Sequence, residues 1–578
     1  MCGIFYYEAN GLGYTPIHTL NTLQQNFAKI SHRGPDNSRF IVAGQRCIGF
    51  HRLAINGLTP AGDQPFSLMG CDLVCNGEIY NHAQLNQKYG LNCVSGSDCE
   101  VIVHLYRQFN GDMCATLREL DGVFSLVLVD RERDLVHVAR DPFGVRSLYI
   151  GSSSDYEHDL SVASEMKALQ HCEHVEQFPG GCYMTVSKTR TGSNTNTMFD
   201  TQLQAYYPKL TLYEAQEVPF NYNFGTASFD DDIHALPEQL EMRACALVRD
   251  LFESAVRKRL MSERPVGCLL SGGLDSSIVT ALVVKHSPGT TVDTYAVGLE
   301  GSVDLKWARR VSEYLGTRHH EVCLTEQQFL DAIDATIYQI ESYDTTTVRA
   351  SVGNYLVSQY IYDNTDNVVI FCGDMSDEIF GSYRGFTKAP SDHAFAQENV
   401  RMVRDVRCFD LLRSDKSISG AGLEARVPFA DKAFLECVMS LPPWMKRFGD
   451  GAEHAVEKHL LRTAFKGLLP EDVMWRRKEA FSDGVSGHDR TWVQIIKEYV
   501  DSRVSDVELS VASELHKFKH NAPYDKESYY YRTVFERHFS GKGRAETIPY
   551  FWRHPFCEGT LDPSARLLKD VYVAGEQQ

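Results

Sequence analysis

Val266-Gly267-Cys268-Leu269-Leu270-Ser271-Gly272-Gly273-Leu274-Asp275-Ser276-Ser277 decides how the second half of this chain folds. Residues 266–270 are apolar without alternation, the pattern of a strand buried on both faces. Residues 277–285 then read as a helix, so a buried strand runs through a glycine turn into a helix N-terminus. Glycines let backbone N–H groups come close to an anion. The first helical turn adds unpaired N–H donors and the positive end of a dipole. Ser276 and Ser277 offer hydroxyls, and Asp275 offers oxygen to a magnesium ion. The string is neither GxxxxGK[ST] nor GxGxxG, and without the lysine it suits pyrophosphate rather than γ-phosphoryl transfer. A plain Gly-Ser helix cap is the bland alternative. A loop of this composition directly after a buried strand favours the anion site.

Outward from the loop, strand and helix alternate. Residues 292–297 and 368–371 read as strands and 305–315 as a helix, which predicts a parallel sheet with helices packed on it. After about residue 392 the pattern is mainly helical. The first part of the chain differs. Residues 123–129 and 135–139 read as a hairpin across a charged turn, and residues 99–109 as an amphipathic helix. This predicts an α+β or layered sandwich domain. Residues 187–197 are rich in Ser, Thr and Asn and read as a surface loop or the start of a linker, with weak patterning to about residue 236. The expected division is a first domain over residues 2–200, a second over 220–545, and a tail over 546–578.

The chain has 578 residues, too many for one core. Its 43% hydrophobic and 23% charged content is that of a globular protein, and its net charge of -18 argues against a general nucleic-acid binder. Sixteen cysteines show no repeated spacing. The closest pair, Cys71 and Cys75, has no further ligands nearby, so free thiols in a reducing, cytoplasmic setting are expected. No apolar run approaches a membrane span, and the first residues lack the features of a signal peptide. No membrane partner is expected.

Cys2 follows Met1, and a small second residue permits removal of that methionine. A freed α-amine titrates near ~8 and a thiol near ~8.5, so one residue then carries both nucleophile and base. Further along stand Ser31-His32-Arg33-Gly34-Pro35-Asp36, His51-Arg52-Leu53-Ala54-Ile55, Asn76-Gly77-Glu78-Ile79-Tyr80-Asn81, Gly96-Ser97-Asp98 and Arg140-Asp141-Pro142-Phe143-Gly144. Together these resemble the class II glutamine amidotransferases, whose domain is a layered αββα fold with an N-terminal nucleophile. The resemblance implies Cys2 as nucleophile, with Asn76 and the Gly77 N–H stabilising the oxyanion. It implies Arg52 on the glutamine α-carboxylate, Glu78 and Asp98 on its α-ammonium, and Leu53, Ala54, Ile55 and Asn56 beside it.

The glycine loop resembles that of the ATP-pyrophosphatases, which release AMP and pyrophosphate. The two halves together resemble the B-type glutamine-hydrolysing asparagine synthetases. Matching strings include Glu341-Ser342-Tyr343-Asp344-Thr345-Thr346, Ser376-Asp377-Glu378, Glu424-Ala425-Arg426-Val427-Pro428-Phe429 and Glu457-Lys458-His459. The resemblance implies ATP, Mg²⁺, aspartate and glutamine, a β-aspartyl-AMP intermediate, and a homodimer as candidate assembly. By family position, Leu270, Ser271, Gly272, Gly273, Ser276, Val297, Cys372 and Gly373 would meet ATP. Asp275 and Asp377 would face Mg²⁺, and Lys458 the phosphates. Thr346 and Arg349 are candidates for aspartate, with an ion pair inside the fold as the competing reading of Arg349.

The chain departs from the family at Cys372-Gly373-Asp374-Met375, where the family reads Ser-Gly-Glu-Gly, and at Ser382, which replaces a glycine. Asp374 stands where the family has a catalytic glutamate, one methylene shorter. A non-glycine residue at a position of positive φ costs roughly 1–2 kcal/mol. A different carboxylate acceptor, as in β-lactam synthetases, an impaired synthetase site, and a non-catalytic scaffold are the competing readings. The intact Cys2 set argues against the first and the last.

Overall fold

The computed structural model describes residues 1–9, 15, 17–153, 159–190, 197–207, 223–224, 227–228, 237–449, 451–476, 478–553 and 555–557. The first half builds twelve strands: β1 (Gly3–Glu8), β2 (Asn37–Ala43), β3 (Arg46–Arg52), β4 (Phe66–Leu68), β5 (Cys71–Ile79), β6 (Gly122–Asp130), β7 (Leu135–Arg140), β8 (Tyr149–Ser152), β9 (Leu160–Ala163), β10 (His174–Gln177), β11 (Cys182–Arg190) and β12 (Thr197–Ala205). They form two six-stranded antiparallel sheets, β10-β8-β9-β1-β3-β2 and β12-β11-β7-β6-β5-β4.

Alternation along the strands stacks these sheets. Ile4 and Tyr6 of β1 join Val74, Val127 and Val138 of the second sheet in one core. The intervening Phe5 and Tyr7 pack with Leu23 and Phe27 of the helix Ile17–Ala28. On the far side of the second sheet, Leu126 and Leu128 meet Ile102, Leu105 and Tyr106 of the helix Val101–Gln108. The result is the expected helix–sheet–sheet–helix sandwich.

One expectation is corrected. The described part of residues 187–197, expected as a surface loop or the start of a linker, belongs to the paired strands β11 and β12, in register from Arg190↔Thr197 to Cys182↔Ala205. β12 is an edge strand, so its threonines and glutamines need no apolar face. The expected boundary between residues 200 and 220 falls mostly outside the described residues, as does most of the tail. Residues 546–553 pack on the second half: Phe551 edges against Tyr343, and the Trp552 N–H donates to Asp344 at 2.7 Å.

After a short hairpin, β13 (Asn223–Phe224) with β14 (Ala227–Ser228), the second half holds β15 (Val266–Leu269), β16 (Asp293–Leu299), β17 (Arg318–Leu324), β18 (Val369–Phe371) and β19 (Glu424–Arg426). These make a fully parallel sheet in the order β17-β16-β15-β18-β19. The chain winds outward from β15 in both directions, which creates a crevice at the carboxyl ends of β15, β16 and β18. Cys268, Ala296 and Phe371 pack toward the helices Leu274–Lys285 and Val303–Leu315, whereas Val297 and Ile370 pack toward Thr345–Asn364. β19 lies in the stretch expected to be mainly helical, and its three residues are too few to register a period. No helix of the described residues is long and apolar enough to cross a membrane.

Candidate active sites

The crevice at the sheet's carboxyl edge is a cleft of about 190 Å³. Its walls include Leu270, Ser271, Gly273, Asp275, Ser276, Val297, Thr346, Cys372, Gly373, Asp374, Asp377 and Lys458, so nearly all the residues expected at ATP or metal converge here. Gly273 is the N-cap of Leu274–Lys285, which places Asp275 in the first turn. Ser276 Oγ accepts from the Ser271 N–H at 3.2 Å and so folds the loop over the helix start. Gly272 stands outside the cleft. Its φ is +70°, and a Cβ would lie 2.3 Å from the Trp307 carbonyl carbon, so only glycine lets the turn seat on the neighbouring helix.

Two carboxylates converge on one cation. Lys458 Nζ lies 2.5 Å from Asp275 Oδ2 and 2.6 Å from Asp377 Oδ1, and Lys478 Nζ is 2.5 Å from Asp377. Burial alone would lower the Lys458 pKa, but Asp275 and Asp377 more than offset it and hold it above its ordinary value. Burial likewise pushes Asp377 up, and Lys458 and Lys478 overcome that and hold it well below the carboxylate range. Lys458 is fixed for this contact by a left-handed backbone (φ 55°) before the helix His459–Ala464.

The divergent segment is accommodated at a cost. Met375 has φ +77°, the conformation that makes a side chain strained, yet that side chain is only 1% exposed and joins the core. Asp374 Oδ1 accepts from Arg413 at 2.5 Å and its other oxygen from the Ser414 hydroxyl. Cys372 is buried, its N–H bonded to the Arg426 carbonyl at 3.0 Å. The Ser382 hydroxyl donates to Asp377, so this replacement adds a donor beside the carboxylate pair.

A second, much tighter cavity of about 30 Å³ lies at Cys2, lined among others by Arg52, Leu53, Ile55, Asn56, Gly77, Glu78, Asp98 and Glu424. Cys2 Sγ sits between the Leu53 N–H (3.5 Å) and carbonyl (3.7 Å). With Met1 in place, burial pushes the Cys2 thiol up to about 11 and pulls the Met1 amine down to about 6. Ala54 stands behind the lining, its N–H held by Asp36 at 2.7 Å. Asn76 is fully buried, and neither its Oδ1 nor its Nδ2 has a hydrogen-bond partner among the described residues. An amide left so costs ~1–3 kcal/mol, and Asn76 stands behind the cavity's lining rather than on it. Gly77 is held to glycine by crowding, since a Cβ would lie 2.2 Å from the Val123 carbonyl oxygen.

Charge in this cavity is mostly acidic. Burial, then the Glu424 and Asp98 carboxylates, push Glu78 well above the carboxylate range. Burial raises Asp98 too, against the Ile79 N–H at 2.6 Å. Arg52 is the local cation, paired with Asp63 at 2.6 Å and held by the carbonyls of Thr59 and Gly57.

Sequence reasoning missed part of both sites. Glu424 and Arg426 come from β19 of the second half, yet Glu424 lines the Cys2 cavity and Arg426 reaches Glu78 at 3.4 Å. Arg413, Ser414 and Lys478 meet Asp374 and Asp377 from positions 39 to 101 residues away, so no local pattern could name them. Arg33 of the His-Arg-Gly-Pro string serves the seam between the halves, pairing Glu165 at 2.7 Å and Asp415 at 3.0 Å. Arg349 does not line the cleft. Its guanidinium is bidentate on Glu527 at 2.7 and 2.6 Å, the ion pair inside the fold that competes with the aspartate-binding reading. Thr346 does line it, with a buried hydroxyl that has no partner among the described residues.

Comparison with known proteins agrees with this two-site geometry. A family profile described as asparagine synthase matches residues 247–399 and 387–554, and one described as a glutamine amidotransferase domain matches residues 1–199. The glutamine-hydrolysing asparagine synthetase of Cricetulus griseus is 40% identical over 561 residues, covering 93% of this chain and 94% of its own. That of Gallus gallus is 40% identical over 562 residues (94% and 95%), and that of Homo sapiens 40% over 561 (93% and 94%).

Proposed function

The chain belongs to the glutamine-hydrolysing asparagine synthetases and makes asparagine with glutamine as nitrogen donor, and from that premise we propose how its own residues do so. The observation that carries the synthetase half is the convergence of Asp275 and Asp377 on one cation at the mouth of the glycine loop. An ammonium already stands where a divalent ion would, and magnesium takes one or two protein carboxylates plus phosphate oxygens. The donor set therefore fits Mg²⁺, which when bound neutralises charge on the departing pyrophosphate. Asp275 and Asp377 would hold it, and Lys458 would serve the phosphates as a point cation.

The aspartate β-carboxylate attacks the α-phosphorus of ATP, pyrophosphate leaves, and β-aspartyl-AMP forms. Ammonia then displaces AMP. Leu270, Val297, Cys372 and Gly373 form the nucleotide wall. Asp374, held by Arg413 and Ser414, lies beside the acyl-adenylate, and Thr346 supplies a hydroxyl to aspartate.

In the other half, removal of Met1 gives Cys2 a free α-amine that takes the thiol proton. The thiolate attacks the glutamine amide, the oxyanion meets Asn76 Nδ2 and the Gly77 N–H, and ammonia leaves a thioester that water hydrolyses to glutamate. Arg52 pairs with the α-carboxylate, and Glu78 and Asp98 with the α-ammonium. Leu53, Ile55 and Asn56 form the wall. We place the first domain at residues 2 to 207, since β12 runs to Ala205, and the second over 220–545, with the protein in the cytoplasm, in keeping with its free cysteines. A homodimer rests on the resemblance alone, and sedimentation reads it.

The test is one reaction containing amide-labelled glutamine, aspartate, ATP and Mg²⁺, with glutamate, asparagine, AMP and pyrophosphate followed together. Labelled asparagine in step with AMP and pyrophosphate is expected. Glutamate without asparagine would overturn the synthetase assignment, and a screen of other carboxylic acids for AMP release would then identify the acceptor.

A further inference from the structure

Away from both cavities, three side chains from separate segments meet at one point. Glu241 projects from the helix Pro237–Lys258, His454 from the loop before Lys458, and His459 from the start of the helix His459–Ala464. The two imidazoles lie face to face, 4.1 Å between centroids and 7° between planes. Both Nε2 atoms address the same carboxylate oxygen: Glu241 Oε1 is 3.3 Å from His459 and 3.8 Å from His454.

The arrangement is unfinished as it stands. His454 is 7% exposed, and its buried Nε2 has no hydrogen-bond partner among the described residues. Leaving such a nitrogen unmet costs ~1–3 kcal/mol. Burial, then the neighbouring His454 ring, lowers the His459 pKa. Two imidazole nitrogens and a carboxylate are the donors of a zinc-class ion. All three ligand atoms lie within 4.8 Å of one another. With bonds of ~2.0–2.1 Å, tetrahedral ligands stand about 3.3–3.4 Å apart, the spacing already present between Glu241 and His459. Tilting one ring out of the stack brings the second nitrogen in.

We propose that Glu241, His454 and His459 form a binding site for one divalent transition-metal ion of the zinc class. The fourth position is open to water or to Thr463 Oγ1, which lies 3.3 Å from His459 Nε2. An ion here ties the helix Pro237–Lys258 to the segment that carries Lys458, the residue immediately before His459.

The test uses the full chain, stripped by chelator and kept in excess Mg²⁺ so that hard carboxylate sites are filled. Zn²⁺ is titrated by calorimetry and Co²⁺ by absorption. One tight equivalent is expected, with tetrahedral cobalt bands and no thiolate charge-transfer band. His454→Ala and Glu241→Gln should each weaken binding by at least the ~10–100-fold that even outer partners of a metal ligand cost. His454→Cys should restore binding and add a thiolate band. No bound equivalent, unchanged affinity in both weakened variants, or a thiolate band in the wild type (which would place the ion at a cysteine) would each overturn the site.

Discussion

Replacing Lys458 by methionine tests the carboxylate pair directly. In the wild type this ammonium is 2% exposed and lies within 2.6 Å of both Asp275 and Asp377. Methionine keeps the stem and removes the charge. Breaking a buried pair from one side costs ~3–5 kcal/mol, because the partner charges stay behind. Asp377 still has Lys478, so the lower end, about 3 kcal/mol, applies. In a domain of this size each kcal/mol moves Tm by ~2 °C, which gives a drop of roughly 6 °C. Mg²⁺ should then recover part of the loss, since the carboxylates converge on a point left without charge. At a hundred times its Kd an ion adds ~2.7 kcal/mol, or about 5 °C. The wild type, with its own cation in place, should gain less. Differential scanning fluorimetry with and without Mg²⁺ reads all of this, and AMP release should be lost while glutaminase activity persists. A Tm unchanged by the substitution, or a variant indifferent to Mg²⁺, would refute convergence on a shared cation.

Met375→Gly should destabilise the protein even though it relieves a φ of +77°. The relief is ~1–2 kcal/mol, whereas deleting a buried methionine side chain costs ~2–5 kcal/mol; thermal unfolding reads the sign. Glu78 sits well above the carboxylate range because of burial, Glu424 and Asp98, so it contributes stability at low pH that is lost as pH rises through its folded pKa. Glu78→Gln should remove that part of the pH dependence of Tm and raise KM for glutamine about 30-fold, the equivalent of ~2 kcal/mol. Protein that keeps Met1 should show almost no glutaminase activity at neutral pH, since its Cys2 thiol stands at about 11; mass spectrometry of active and inactive fractions checks this. Thr346→Val should raise KM for aspartate ~10-fold, as expected for one lost hydrogen bond to a charged group, whereas Arg349→Lys should lower Tm with KM unmoved, because Arg349 faces Glu527.

What the sequence made legible was local. The run from Val266 to Ser277 names its strand, turn and helix because each residue's neighbours carry the reason, whereas the strain at Met375 shows only against the glycine that the family has at that position. What stayed hidden was assembled across distance. Arg413 and Ser414 reach Asp374, and Glu424 reaches the Cys2 cavity, through packing that no spacing encodes. The ion pair that competes for Arg349 has no local signature either: its partner Glu527 lies 178 residues away. The ends of β11 and β12 read as a surface loop or the start of a linker because an edge strand in water needs no apolar face.

β19 is three residues long and belongs to two places at once. The Arg426 carbonyl accepts from Cys372 in the ATP cleft, while the Arg426 side chain pairs Glu424 and approaches Glu78 beside Cys2. Separate the halves at the connecting segment and the amidotransferase half is left with a missing wall, with Glu78 lacking its nearest guanidinium and Arg33 lacking Asp415. A gene encoding residues 1–207 alone would therefore specify an enzyme with an unfinished pocket and stranded charges on the face where its other half belongs.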